Sequence, residues 1–92
     1  MEYDREFFKS CLGKKFSIEF HEEFGHLELV EVSDLNASLP NIDAFSLVFI
    51  SKNTAVLGQQ TYTLKGPNYK NDLFLVPVGR DEQGTRYEAV FN

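Results

Sequence analysis

The chain has 92 residues, 42% of them apolar, and 14 acidic against 9 basic side chains give it a net charge of −5. That is material for one core and one domain, residues 1–92, in which nine Phe and four Tyr supply much of the bulk. The single cysteine, Cys11, excludes an intrachain disulfide, the acidic balance argues against nucleic acid, and the longest apolar run, Leu73–Val78, falls far short of a membrane-spanning helix.

The opening MEYDREFFKS is too charged for a signal peptide, so a cytoplasmic protein with no membrane attachment is the expectation. The spacing predicts a helix over Asp4–Leu12. Phe8 and Leu12 share one stripe and Phe7 and Cys11 another, with Asp4 at the N-cap position and Gly13 at C′. So short a helix does not hold alone in water and must dock on something.

From Lys15 onward the apolar period is two, and turn residues recur at intervals that suit an all-β meander. The first strand is read as Lys15–His21, with Phe16, Ile18 and Phe20 on one face, and Glu22–Gly25 as its turn. In the second, His26–Ser33, the pattern slips. Leu27 and Leu29 lie on one face and Val30 and Val32 on the other, which asks for a bulge near Leu29 or for burial on both faces. A polar loop, Asp34–Asp43, leads to a third strand, Ala44–Ser51, with Phe45, Leu47 and Phe49 in step and Val48 and Ile50 apolar on the reverse.

After a connection over Lys52–Gly58, the fourth strand is Gln59–Lys65, followed by the turn Gly66-Pro67-Asn68. The fifth, Asp72–Val78, is apolar on both faces, and Pro77 places its end at an edge or a bulge. A hairpin loop over Gly79–Thr85 precedes the last strand, Arg86–Phe91, with Tyr87, Ala89 and Phe91 aligned. Short connections favour antiparallel neighbours. The expected fold is therefore mainly β: a six-stranded antiparallel, partly closed barrel or two-layer roll over 15–92, with the helix over 4–12 as plug or cover.

The segments FSLVF (Phe45–Phe49), QQTYTL (Gln59–Leu64), LFLVPVGRD (Leu73–Asp81) and YEAVFN (Tyr87–Asn92) resemble an uncharacterised bacterial family catalogued as a domain of unknown function of about ninety residues. The N-terminal helix, its Gly and the Phe-led first strand extend the resemblance to nearly the whole chain. Thr61 and the Gly66–Asp72 connection depart from the family pattern. Members of that family can be encoded near phage-tail-like collar proteins, so the resemblance implies an accessory role in an assembly.

Two features point toward function. If Glu22–Gly25 is the turn, His21 and His26 become cross-strand neighbours with Cβ atoms about 4.5–5.5 Å apart, close enough to share a divalent metal with Glu22 or Glu23. Exposed histidines at a hairpin mouth are the plainer alternative. The second feature is apolar excess. Val48, Ile50, Phe74 and Val76 leave two strands without a polar side, which either the helix covers or a protein partner or second copy does. Cys11 sits in the last helical turn, where the dipole disfavours a thiolate, and reads as structural. Asp81 and Glu88 lack an evident desolvated pocket for acid–base work, no glycine spacing forms a phosphate loop, and no pattern points to a cofactor. The expectation is a non-catalytic structural or interaction module, with a small-ligand or metal-binding protein using the mouth at His21 and His26 as the alternative.

Overall fold

The computed structural model describes residues 3–35 and 44–91. Its one α-helix, α1, covers Arg5–Lys9 and is shorter than the spacing predicts. Asp4 caps it as expected, its carboxylate accepting the Phe7 N–H at 2.9 Å. Beyond Lys9 the chain tightens, with Cys11 N–H donating to Phe8 O and Leu12 N–H to Lys9 O, both to the residue three back. Gly13 then ends the turn at a φ of 85°.

Six antiparallel strands follow: β1 (Lys15–Ile18), β2 (His26–Leu35), β3 (Ala44–Ser51), β4 (Gln60–Gly66), β5 (Tyr69–Asp81) and β6 (Gly84–Phe91). They close into a ring in the order β1-β2-β3-β6-β5-β4. The ring is uneven. β1 joins β4 through Ser17–Lys65 and Ile18–Leu64, and β5 pairs with β4 along Tyr69–Leu75 but with β6 along Val76–Asp81. Where β5 and β6 diverge, Phe8 of the helix fills the space, its ring against Tyr69 on one side and Phe45 and Phe91 on the other. The helix is a plug at one end of the ring, not a cover over its outer face.

Bulges settle the ambiguous strand faces. A register shift between Leu29 and Glu31 leaves Val30 exposed and returns Val32 to the inner face opposite Leu47. Of the two sequence-based explanations, the bulge holds. A second shift, between Pro77 and Gly79, stands where the proline removes a ladder donor. β3, by contrast, is buried along both faces except at half-buried Val48.

Two hairpins are tighter than expected. Pro67-Asn68 alone joins β4 to β5, with Asn68 at a φ of 58°, the pairing a type II turn asks for. Glu82-Gln83 joins β5 to β6. Gly66 and Gly84 flank these turns for steric reasons: a Cβ would stand 2.4 Å from the Phe16 ring at the first and 2.1 Å from the Ser51 carbonyl at the second. β2 runs two residues beyond the expected Ser33, and the remainder of the polar loop, 36–43, lies outside the described residues.

Candidate functional site

The predicted histidine pair is not assembled as cross-strand neighbours. β1 ends at Ile18, and the backbone turns away at Phe20, which adopts a left-handed φ of 69°. A 3-10 turn over Glu22–Phe24 follows, so the partner of His26 in the ladder is Ser17. His21 stays in the loop, edge-on to Tyr62 with ring centroids 6.3 Å apart and its Nδ1 3.9 Å from Glu23. His26 lies on β2, along the wall of a different concavity. Among the described residues no group of three or more His, Cys, Asp and Glu side chains could hold a metal ion. Glu22 is instead a loop brace. Its own backbone N–H, then that of Phe20 and the Lys65 ammonium, hold its carboxyl below the usual range.

Sequence reasoning places Phe20 inside with Phe16 and Ile18. The structure puts its ring in solvent, 83% exposed. Apolar alternation cannot reveal a backbone reversal, and no other signal in the sequence marks this one.

The outer face of β3, β6 and β5 carries the apolar excess. Phe74, Val78 and Val90 are each about half exposed, and Val76 and Val48 are half-buried. Register sets Val76 beside Glu88, Glu88 beside Val48, and Val48 beside Glu31, so one row across four strands alternates valine and carboxylate. The helix, docked at the ring's end, does not reach this row. Ile50, the fourth residue of the expected interaction surface, is buried and belongs to a different feature.

That feature is a concavity of about 170 Å³ lined by Lys15, His26, Glu28, Ile50 and Lys52. β1, β2 and β3 bring these residues together by register: Lys15 opposes Glu28, and Glu28 opposes Ile50. Several other cations are matched, while Lys14 and Arg80 form no ion pair among the described residues. Lys9 meets Glu6, Lys65 meets Glu22, Lys70 meets Glu19 and Arg86 meets Asp81. Asp81 is held below the usual carboxylate range by the Gln83 backbone N–H first, with the Arg86 guanidinium adding. Neither Lys15 nor Lys52 has a carboxylate within ion-pair distance among the described residues.

No helix among the described residues is long and apolar enough to cross a membrane. Residues 3–91 match the model of a family described as a domain of unknown function, DUF6916. No curated protein and no solved structure matches the chain.

Proposed function

The chain belongs to the DUF6916 family, and from that premise we propose that it is a non-catalytic interaction module that docks on a protein partner through the outer face of β3, β5 and β6. The observation that carries this reading is the exposure of Phe74, Val78 and Val90 on β5 and β6, on a face that α1, the one α-helix among the described residues, leaves uncovered. Burying a half-exposed Phe and two valines against a partner stabilises a complex by a few kcal/mol at about 25 cal/mol per Å². The alternating carboxylates Glu31 and Glu88 disfavour a second copy, since two such faces would bring like charges together. They suit a partner with cations around an apolar ridge.

Phe20 supports the same class. A bulky residue at positive φ with its ring in water costs the free chain and contributes no core contact, as an anchor that seats in another molecule would. An accessory place in a phage-tail-like assembly is the first setting to try. The test is comparative capture from the native host. A protein retained by the wild-type chain, lost with Phe74→Ser/Val90→Ser and kept with Val56→Ser supports the reading. Identical captured sets from all three overturn it.

A further inference from the structure

We propose that the concavity on the outer face of β1, β2 and β3 binds a carboxylate carried on a short apolar chain. This goes beyond the docking face above and rests on different residues. Of the nine Lys and Arg side chains, Lys14, Lys15, Lys52 and Arg80 stand outside the ion pairs among the described residues. Two of these four, Lys15 and Lys52, line this one hollow, and His26 stands with them. Their ammonium groups sit on flexible stems that can converge on one anion. Ile50, only 8% exposed, lines the same hollow, so its wall combines charged groups with hydrocarbon.

The hollow, of about 170 Å³, holds several water-sized groups, which gives space for a carboxylate with a short apolar chain beside Ile50. Glu28 sets the charge. It opposes Lys15 across the ladder and lines the same hollow, so it penalises a doubly charged phosphate more than a single carboxylate. The matching chemistry is that of a free short-chain acid or of an acidic group at the end of a polypeptide.

The experiment is a two-dimensional NMR titration of the full chain with sodium butyrate at constant ionic strength, with butanol as the uncharged control. Saturable shifts are expected at the amides of Lys15, His26, Glu28, Ile50 and Lys52, with a Kd on the order of 1–10 mM. Lys15→Gln and Lys52→Gln each weaken binding about two- to fivefold, as exposed pairs do, and Glu28→Gln tightens it about twofold by removing repulsion. These are surface changes, and each variant's own spectrum checks its fold. Non-saturating shifts, equal shifts around Lys9 and Lys65, or unchanged affinity in both lysine variants overturn the site. A parallel titration with acetyl-Gly-Leu as its free carboxylate and as its amide separates the sources. Tighter binding of the peptide acid than of butyrate assigns a polypeptide terminus, the reverse order assigns the free acid, and equal binding of the amide overturns the proposal. Loss of partner capture by the Phe74 and Val90 variants leaves this titration unaffected, so the two readings fail separately.

Discussion

The two ends of the strand ring are closed by different physics. At the helix end the seal is aromatic. Tyr3, Phe7, Phe8, Phe16, Phe45, Tyr69 and Phe91 form a continuous set of ring contacts, from 4.5 Å between Tyr3 and Tyr69 to 6.0 Å between Phe8 and Phe45. At the other end the connection 52–59 is a strap held by hydrogen bonds. Leu57 N–H donates to the Tyr87 hydroxyl at 2.9 Å, the Tyr62 hydroxyl donates to Gly58 O at 2.6 Å, Asn53 reaches Phe24 O and Arg80 reaches Thr54 O. Most of the strap is exposed, with Asn53 and Leu57 partly buried. Apolar area holds its end only as part of the whole core, whereas hydrogen bonds at a surface strap can break without it. The helix end should therefore open with global unfolding and the strap end before it.

The largest break in this contrast comes from Phe8→Ala. Phe8 is fully buried between strands that otherwise part, and truncating such a ring costs about 3–5 kcal/mol. That is a large share of the roughly 5–15 kcal/mol that holds a small domain. Denaturant unfolding should show one cooperative transition shifted to much lower concentration; a shift under about 1 kcal/mol would mean the helix is not the plug. Tyr87→Phe acts at the opposite end and is smaller. It strands the Leu57 N–H, at about 1–2 kcal/mol. Its signature is local: hydrogen exchange at Leu57 and its strap neighbours speeds up, while the amides of β3 keep their protection. Uniform acceleration over both would erase the distinction between the ends.

The same contrast explains what was legible in the sequence. Regular strands with one apolar face, the cap at Asp4, the slip at Leu29–Val32 and the interruption at Pro77 are local signals, and the structure follows each of them. The resemblance carried by FSLVF, LFLVPVG and YEAVFN also holds, since the family model spans residues 3–91. What failed depends on backbone direction and register. Phe20 keeps the alternation of Phe16 and Ile18 in letters but not in space, and its reversal at positive φ moves His26 opposite Ser17. His21 is thereby left in the loop, outside the ladder that holds His26. The helix target was equally hidden, because stripes of Phe8 with Leu12 and of Phe7 with Cys11 say that something is covered without saying whether it is a face or an end. The hollow at Lys15, His26, Glu28, Ile50 and Lys52 draws on three strands, so no local spacing marks it. Only the pairing of Lys15 with Glu28 and of Glu28 with Ile50 does.

The finest probe of the aromatic end is Tyr69, and its effect has the opposite sign. Its ring is 5% exposed and packs against Tyr3, Phe7, Phe8 and Phe16, but its hydroxyl has no hydrogen-bond partner among the described residues. Burial first, then the neighbouring Tyr3, Asp72 and Cys11, push the phenol well above its ordinary range. Replacing it by Phe removes an unsatisfied polar atom and leaves the ring contacts, so Tyr69→Phe should be neutral or more stable by up to about 1 kcal/mol near pH 7. The pH dependence follows from linkage. The folded chain keeps this proton while the unfolded chain releases it near pH 10, so the contribution is whole below that pH and declines as the pH rises past it. Denaturation midpoints of wild type should therefore fall between about pH 9 and pH 11, and those of Tyr69→Phe should fall less, the remaining slope coming from Tyr62, also raised by burial and then by Tyr87. A Tyr69→Phe chain that is less stable at neutral pH and equally sensitive to alkali would show that the hydroxyl does find a partner, and that the aromatic end, like the strap, is held in part by hydrogen bonds.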